Sequence, residues 1–458
     1  MNIVQITPGA GAMFCGNCFR DNALVAALRQ QGHSVLMVPL YLPLTLDETD
    51  QSDGTPIFFN GVNVYLEQKS AWFRKAPAWL HRLAASPALL KWAAGRATKT
   101  RAADLGDITL SMIRGEEGNQ ARELEELIAF LKTQPRPDII CLSNALLVGM
   151  ARRLKSELGA AVVCVLQGED GFLDALPDQF RDLTWRTLAE RARDVDLFIP
   201  PTHYFGDLMS RRLGLPAERI RVIYNGINLE GYGEAQSPGS RAQSEGSPTL
   251  GYFARMCREK GLDTLVEAFI LVKERNRIPR LKLKIGGGCG PSDEPLVNSL
   301  RARLKAKVFL DDVEFHPNVD RAGKQAFFRS LSVFSVPALY GEAFGLYVIE
   351  ALASGVPVVQ PRHAAFPELI EASGGGVICE PGHPKALAVA LEELLLNPDK
   401  ARALGAAGQK AVHEKFNARQ MAREVARAYE EVKRPGPVQA ELPHAAEFQP
   451  DAAPPTRR

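Results

Sequence analysis

Short apolar segments alternate with helical patterns through both halves of this chain, and this alternation is the strongest constraint on its fold. The first half predicts strands at 3–6, 34–38, 138–142, 161–166, 197–199 and 220–224. The second half predicts strands at 249–253, 281–285, 313–315, 333–338, 356–360 and 377–379. Apolar runs separated by helices are typical of parallel sheets that carry helices on both faces. The sequence therefore predicts an α/β protein with two doubly wound domains in series.

A segment rich in Gly, Ser and Pro at 229–247 divides the two halves and is typical of a linker. We expect an N-terminal domain over 1–228, with a helical insertion at about 66–132, and a second domain over 248–414. A helix is expected within 415–433. The Pro- and Ala-rich residues 434–458 are expected to be disordered. Doubly wound domains bind ligands beyond the carboxyl ends of their strands, which predicts a cleft shared by the two domains.

Composition excludes several classes of protein. The net charge of +2 argues against a nucleic-acid partner. No apolar run approaches the length of a transmembrane helix, and the chain opens directly on a predicted strand rather than on a secretory signal. The seven cysteines are odd in number, and Cys141 and Cys164 lie in apolar strands. These features predict reduced core thiols and a cytoplasmic location.

Residues 340–350 carry the most specific chemical pattern. A buried strand is followed by a short loop with Glu342, and a helix is predicted to start near Gly345. The N–H groups of Phe344, Gly345 and Leu346 would then form an anion site at the helix start. Glu350 lies one turn inside this helix, on the same side as Leu346. A ligand with a phosphate between hydroxyl-bearing rings would suit this arrangement. The helix start would bind its phosphate, and the two carboxylates would accept hydrogen bonds from its hydroxyls.

The Glu-x7-Glu spacing of Glu342 and Glu350 resembles the signature of the retaining nucleotide-sugar glycosyltransferases of family four. This resemblance implies a GT-B-like fold, in which two Rossmann-type domains face a central cleft. It also implies that Glu342 faces the donor sugar, that Glu350 holds the nucleotide ribose, and that the C-terminal helix crosses back onto the first domain. The alternative is that each Glu is a solvated charge near a helix start and binds no ligand.

Two cations follow the first strand of the second domain. Arg255 and Lys260 could neutralise a diphosphate that gains charge as it leaves. Their spacing resembles the Gly-Arg-…-Lys-Gly element of the same family, whose Arg and Lys hold the distal phosphate. Gly287, in a glycine-rich loop after the next strand, would allow the backbone to approach a nucleotide closely. Since these cations and a helix start can supply the positive field, no metal ion and no other cofactor are expected.

The first domain offers weaker signals. Gly9 and Gly11 lie in the loop after the first strand, where the resembling enzymes meet donor phosphate and acceptor. Family members often carry a His near Gln167, but this chain has none there. Gln167 or Glu169 then substitutes for it, or the donor is held differently. Glu169 and Asp170 are the carboxylates expected on the acceptor side, with a solvated helix-start cluster as the alternative.

Two further segments leave alternatives open. Cys15 and Cys18 form a Cys-x2-Cys pair, which is typical of a redox pair or of half a zinc site, without a second such element in the sequence. Residues 69–101 carry eight basic residues, no acidic residue and three of the four tryptophans. This segment predicts either a peripheral contact with an anionic membrane or a helical flap with a solvated basic face.

Together with this resemblance, these features predict a hexosyltransferase-type enzyme that moves a sugar from a nucleotide-diphosphate sugar to an acceptor hydroxyl, and the resemblance implies retention. The acceptor would be a carbohydrate, a lipid-linked molecule or another small molecule. The alternatives are a different GT-B enzyme, such as a nucleotide-sugar epimerase or a phosphorylase, and a nucleotide-sugar-binding protein without catalysis.

Overall fold

Two parallel sheets form the frame of the protein. The computed structural model describes residues 1–9, 11, 15–59, 102–233 and 247–433. The first sheet contains β1 (Asn2–Thr7), β2 (Ser34–Pro39), β3 (Ile139–Leu142), β4 (Ala161–Val165) and β5 (Leu197–Ile199). The second contains β6 (Thr249–Phe253), β7 (Lys282–Gly287), β8 (Val313–Pro317), β9 (Val333–Phe334), β10 (Val358–Pro361) and β11 (Gly376–Cys379).

The first sheet has the strand order β2-β1-β3-β4-β5, and each neighbouring pair is parallel. Its helices are α1 (Gly16–Gln30), α2 (Ala102–Arg114), α3 (Ala121–Lys132), α4 (Ala151–Leu158), α5 (Glu169–Asp174), α6 (Asp178–Arg191) and α7 (His203–Leu213). Strands β3 and β4 are fully buried, and an apolar cluster covers each face of the sheet. Burial on both faces explains why these strands are continuously apolar rather than alternating.

The second sheet has the order β11-β10-β9-β6-β7-β8, again with parallel pairs. Its helices are α8 (Leu262–Arg275), α9 (Glu294–Ala306), α10 (Arg321–Arg329), α11 (Leu346–Ala353), α12 (Phe366–Ser373), α13 (Pro384–Leu396) and α14 (Pro398–Lys415). One continuous apolar cluster fills this half. The predicted α/β architecture with two parallel sheets is therefore confirmed.

The strand predicted at 220–224 is wrong. In the structure only Ile220 pairs with β5, through a single bridge to Phe198. The N–H groups of Arg221 and Ile223 do bond to the carbonyls of Phe198 and Pro200. The ladder would next need the N–H of residue 200 as a donor, but proline has none. The segment therefore runs beside the sheet edge without becoming a strand.

The chain passes between the two halves at residues 225–228 and returns through the last helix, α15 (Ala418–Val432). A bridge joins Ile227 to Asn417, so the outgoing and returning segments lie side by side. Helix α15 packs on α1, and Met421 and Tyr429 are buried against the first sheet's cluster. Tyr232 lies inside the predicted linker, but it is buried and packs with the second half.

Several predicted features fall outside the described residues. These are the basic segment 69–101, most of the predicted linker, and the tail at 434–458. Within 102–132, the predicted insertion is helical, as α2 and α3. In the part of the chain that the structure describes, no helix combines the length and apolar character needed to cross a membrane.

Candidate active site

A cleft of about 830 Å³ lies between the two halves. Its first-domain wall includes the start of α1 and the loop after β2. Its second-domain wall includes four of the predicted site residues: Arg255, Gly287, Leu346 and Glu350. These residues come from three segments, namely the loop after β6, the end of β7 and helix α11, and all three lie at the carboxyl ends of parallel strands. The two-domain fold thus brings distant sequence motifs together at one concave surface.

Glu342 forms the centre of a compact polar cluster just behind this wall. Its Oε2 accepts hydrogen bonds from Lys260 Nζ at 2.6 Å, from the Tyr347 hydroxyl at 2.7 Å and from the Tyr340 hydroxyl at 3.0 Å. The ammonium of Lys260 also lies over both rings, 4.8 Å and 5.1 Å from their centroids. Only 13% of the Glu342 side chain is exposed. Tyr347 itself lines the cleft, so the cluster lies directly beneath its surface.

The electrostatics of this cluster keep Glu342 ionised. Burial alone would raise the pKa of Glu342, but the charge of Lys260 and the hydrogen bonds from Lys260 and the two tyrosines lower it below its usual value. The pKa of Tyr340 is raised, chiefly by burial and then by the neighbouring carboxylate, so this hydroxyl remains a donor. Oε1 of Glu342 makes no hydrogen bond within the described residues. That oxygen is therefore the one available to a ligand.

Glu350 lies on helix α11 and lines the cleft. Its Oε1 pairs with Lys324 Nζ at 2.8 Å and accepts a hydrogen bond from the Tyr232 hydroxyl at 3.2 Å. Lys324, on α10, also reaches Asp47 Oδ2 of the first domain at 3.0 Å. Burial alone would lower the pKa of Lys324, but Glu350 and Asp47 together raise it. Glu350 is thus a charged, partly accessible acceptor that is joined to the opposite wall through one lysine.

Arg255 stands at the mouth of the cleft, with 59% of its side chain exposed. Its guanidinium pairs with Asp293 at 3.0 Å, and Asp293 in turn accepts the N–H of Gly290 at 3.0 Å. Gly287 lies beside this loop with a φ of +114°, and a Cβ there would fall 2.1 Å from the carbonyl oxygen of Ala254. Only glycine fits such a position. The glycine-rich loop and the Arg255 loop are therefore packed backbone to backbone.

Helix α11 begins at Leu346, close to the predicted start. Gly345 precedes it in the left-handed region, with a φ of +92°. Phe344 is buried in the core of the second half. Within the described residues, the backbone N–H groups of Phe344, Gly345 and Leu346 make no hydrogen bond. Leu346 lines the cleft, whereas Phe344 and Gly345 are buried and are not among the residues that line it, so the anion site at these three N–H groups stays a prediction.

The predicted acceptor-side residues lie at the end of β4. The carboxylate of Glu169 is buried and accepts three backbone N–H bonds, from Ala145 at 2.8 Å, Gln167 at 2.9 Å and Gly168 at 3.0 Å. Burial nevertheless raises the pKa of Glu169 above its usual value, because it outweighs those bonds. An acceptor contact by Glu169 would require these bonds to open.

The neighbours of Glu169 are placed differently. The carboxamide oxygen of Gln167 accepts a hydrogen bond from Asn225 at 3.3 Å, at the crossing between the domains. Asp170 is partly buried, and this burial raises its pKa. Gly168 faces Ala343, since a Cβ on Gly168 would come within 3.6 Å of the Ala343 side chain. The loop at 167–170 therefore faces the Glu342 loop across the domain boundary.

Gly9 and Gly11 pack against the loop after β2 and are not among the residues that line the cleft. A Cβ on Gly9 would fall 1.8 Å from the carbonyl oxygen of Leu42. The N–H of Gly11 donates to Pro43 at 3.0 Å. The clash explains glycine at position 9, and a φ of +59° favours glycine at position 11. The predicted contact of both residues with donor or acceptor stays a prediction.

Sequence reasoning missed several residues of the site. Tyr340 and Tyr347 flank Glu342 in the sequence, and their spacing around it could have indicated the shared hydrogen bonds. Lys324 and Asp47 carry no comparable signal, since they lie far in sequence from Glu350 and from each other. The expectation that the chain has no Asp-x-Asp metal motif overlooks Asp194 and Asp196, which lie outside the residues that line the cleft. Their carboxylates pair with Arg152 at 3.2 Å and Lys155 at 2.7 Å.

Comparisons with known families agree with this architecture. Residues 109–230 match the family model "Glycosyltransferase Family 4", and residues 235–411 match the model "Glycosyl transferases group 1". The two matches fall on the two domains in order. The chain belongs to the family-4-type glycosyltransferases with a GT-B fold.

Individual members of the glycosyltransferase family match over a smaller part of the chain. Phosphatidyl-myo-inositol mannosyltransferase of Mycobacterium leprae is 32% identical over 219 residues, which are 47% of this chain and 54% of that protein. D-inositol 3-phosphate glycosyltransferase of Thermobifida fusca is 29% identical over 207 residues, covering 43% and 46%. The chain thus spans about half the length of the curated relatives that it matches.

Several solved structures match over nearly the whole chain. Sucrose-phosphate synthase from Thermosynechococcus elongatus superposes with a TM-score of 0.66 at 20% identity, covering 94% of this chain and 98% of that one. An Anabaena protein crystallised with UDP gives a TM-score of 0.65 at 15% identity, covering 94% and 100%. At these identities the likeness supports the GT-B fold alone.

Proposed function

We propose that this chain transfers a sugar from a nucleotide-diphosphate sugar to an acceptor hydroxyl, with retention of configuration and without a metal ion. The observation that carries the proposal is the ionised Glu342, held by Lys260 directly beneath the wall of a cleft that also presents Glu350 and Arg255. Carboxylates that accept hydroxyls and cations that attract a diphosphate are the two chemistries that such a donor requires.

The residues divide into roles by position. Glu350 would accept a ribose hydroxyl and Glu342 Oε1 a hydroxyl of the donor sugar. Arg255 and the N–H groups at the start of α11 would hold the diphosphate, and Gly287 would let the nucleotide lie close to the backbone. Lys260 contributes positive charge next to the bond that breaks. Gln167 and Asp170, across the domain boundary, would lie on the acceptor side.

The reaction proposed for this site is a substitution on one face of the sugar. The bond between the anomeric carbon and the diphosphate oxygen breaks, and its electron pair leaves with the diphosphate. The acceptor oxygen bonds to the same face of that carbon, and its proton passes to the departing phosphate. No protein base is then required. Arg255, Lys260 and the helix start stabilise the charge that develops on the leaving group.

The acceptor class is inferred from the relatives. The names of the Mycobacterium leprae and Thermobifida fusca relatives specify phosphatidyl-myo-inositol and D-inositol 3-phosphate. Polyol hydroxyls on phosphorylated rings are therefore the first acceptors to test for this chain.

The decisive experiment supplies the purified chain with UDP-, GDP- and ADP-sugars and this acceptor panel. Release of nucleoside diphosphate that depends on both substrates is the expected result, and the anomeric coupling in the NMR spectrum of the product should match that of the donor. Parallel reactions receive a sugar phosphate without nucleotide, which would reveal a phosphorylase, or a nucleotide sugar alone, which would reveal an epimerase. Nucleotide binding without any turnover would indicate a binding protein.

Independence from metal is tested in the same assay. Transfer should continue in EDTA, because the positive field comes from side chains and a helix start. Loss of transfer in EDTA, with rescue by magnesium or manganese, would contradict the proposed mechanism.

A further inference from the structure

Cys15 and Cys18 occupy the first turn of α1, at the wall of the cleft. Cys15 is the N-cap residue, with extended backbone angles, and Cys18 is the third residue of the helix. Cys15 is half-buried and lines the cleft, whereas Cys18 is fully buried. The fold therefore presents one thiol of the pair to ligands in the cleft and shields the other beneath it.

The spacing of the pair suits a disulfide. Residues three apart at a helix start have Cα atoms about 5 Å apart, which lies inside the range that a disulfide spans. An N-cap side chain also points toward the third residue of its helix, as in the capping box. Both cysteines are free thiols, and their side chains lie close enough to influence each other's pKa. Little backbone movement is then needed to join their sulfur atoms.

The surroundings make the two thiols chemically unequal. The pKa of Cys15 is lowered to about 7, chiefly by the hydrogen bond from Cys18 and further by the N–H groups of Cys18 and Asn17, while burial and the charge of Asp21 oppose this. The same hydrogen bond and burial raise the pKa of Cys18. A helix start also favours a thiolate. Cys15 is therefore the nucleophile of the pair at neutral pH.

We propose that Cys15 and Cys18 form a reversible intramolecular disulfide by exchange with a small-molecule disulfide such as oxidised glutathione. The Cys15 thiolate attacks one sulfur of the reagent, whose S–S bond breaks and releases one thiolate. Cys18 then attacks the Cys15 sulfur of this mixed disulfide, expels the second thiolate and gives it its proton. The two protein thiols are oxidised, and the reagent is reduced to two thiols.

This site is independent of the proposed transferase function, since no step involves a sugar donor. The zinc alternative for the pair lacks support in the described part of the chain, where no three His, Cys, Asp or Glu side chains are grouped so as to hold a metal ion. Cys289 provides a matched comparison. It is also half-buried and lines the cleft, but burial raises its pKa.

The first test needs no substitution. The reduced chain is pulsed with iodoacetamide at neutral pH, and alkylation of each cysteine is followed by peptide mass spectrometry. Because the pKa of Cys15 is about 7 whereas burial raises that of Cys289, a far larger fraction of Cys15 is thiolate at neutral pH. Cys15 should therefore react about tenfold faster, allowing for the lower nucleophilicity of a low-pKa thiol. Alkylation of Cys15 no faster than that of Cys289 would overturn the proposal.

The second test uses oxidised glutathione. The unmodified chain should form a Cys15–Cys18 disulfide that dithiothreitol reverses. Cys18→Ser should instead stop at the mixed disulfide and retain one glutathione on Cys15, whereas Cys15→Ser should retain none on Cys18. A stable glutathione adduct on Cys15 of the unmodified chain, or a disulfide from Cys15 to another cysteine, would show that Cys18 does not resolve the intermediate.

Discussion

Two buried carboxylates show how single contacts decide the state of a residue. Glu342 and Glu169 both lie out of solvent, but their pKa values move in opposite directions. Glu342 faces the ammonium of Lys260, whereas Glu169 faces only backbone N–H groups. A full charge offsets the cost of burying a carboxylate better than backbone dipoles do. Glu342 is therefore the carboxylate whose ionised form the fold favours.

The ion pair of Glu342 and Lys260 should make stability depend on pH. The folded pKa of Glu342 lies below its unfolded value of 4.5, so its contribution is complete above that pH and disappears as the pH falls through the folded pKa. Lys260→Met should lower the free energy of unfolding by about 3–5 kcal/mol at neutral pH, because it leaves a buried charge unpaired. In urea titrations this difference should shrink in acid. An equal loss of stability at neutral and at acid pH would show that Glu342 and Lys260 do not form a stabilising ion pair.

Substitution of Arg255 tests whether this residue stabilises the charge on the leaving group. Because its side chain is mostly exposed, the substitution should destabilise the fold less than Lys260→Met does. Arg255→Ala should lower kcat by about 10²-fold, because the interaction strengthens as the diphosphate departs. Arg402→Ala, an equally exposed change on α14, is the control. If only KM rises, Arg255 binds the ground state and the transition state equally well, and the proposed stabilisation of the leaving group by Arg255 is wrong.

Glu350 tests the proposed ribose contact. Glu350→Ala should weaken binding of the preferred nucleoside diphosphate by about 1–3 kcal/mol in calorimetry, because a hydrogen-bond acceptor is lost. Glu393→Ala, at an exposed position of α13, should leave the affinity unchanged. Equal affinities for the Glu350 variant and the unmodified chain would remove Glu350 from the nucleotide site.

At the scale of elements, the last helix supports the first. Helix α15 covers α1 with a buried face that includes Met421, Val425 and Tyr429. The N–H of Gly226 also contacts the Met421 sulfur at 3.3 Å, so α15 reaches the crossing between the domains. Since α1 begins at the cleft wall, packing by a helix from the far end of the chain positions a part of the site.

Met421→Ala should lower the free energy of unfolding by about 2–5 kcal/mol, because it leaves a cavity between α15 and the first domain. The matched control is Arg427→Ala on the exposed face of the same helix, which should change stability by less than about 0.5 kcal/mol. Chemical denaturation of the three proteins gives both values. Similar losses in the two variants would show that the helix acts through its own propensity rather than through packing.

At the scale of the whole molecule, charges join the two walls of the cleft. Asp47 and Glu48, after β2, face Lys324 and Arg321 on α10. Lys324 continues this contact to Glu350, the proposed ribose residue. A nucleotide that contacts Glu350 would therefore act on the same lysine that holds the first domain. Lys324 is thus shared between the proposed ribose site and a contact between the two domains.

Removing the acids of the first wall should open the cleft. The double variant Asp47→Ala, Glu48→Ala removes the carboxylate partners of Lys324 and Arg321 on the opposite domain, while the bond from Arg321 to the carbonyl of Asn228 remains. Small-angle scattering should then show a larger radius of gyration at low salt, and the unmodified chain should approach it as added salt screens the pairs. Asp53→Ala, an exposed acid of the same segment, is the control. An unchanged radius in the double variant would show that other contacts hold the domains together.

The sequence by itself determined the features that depend on near neighbours. The alternating apolar segments predicted the parallel strands, and the run from Gly345 to Glu350 predicted the start of α11, because periodicity and helix termini are set by residues within a few positions of one another. The motifs around Glu342 and Arg255 were visible for the same reason.

The tertiary structure decided everything that joins distant segments. It placed Lys324 between Glu350 and Asp47, committed the carboxylate of Glu169 to backbone N–H groups, and kept 220–224 out of the sheet because Pro200 lacks a donor. Such contacts depend on where whole elements pack, and no local pattern encodes the distance between two residues that lie hundreds of positions apart. The sequence therefore shows which side chains are able to bind or react. The packing of the elements selects the partners that set the charge of these side chains and their access to a ligand.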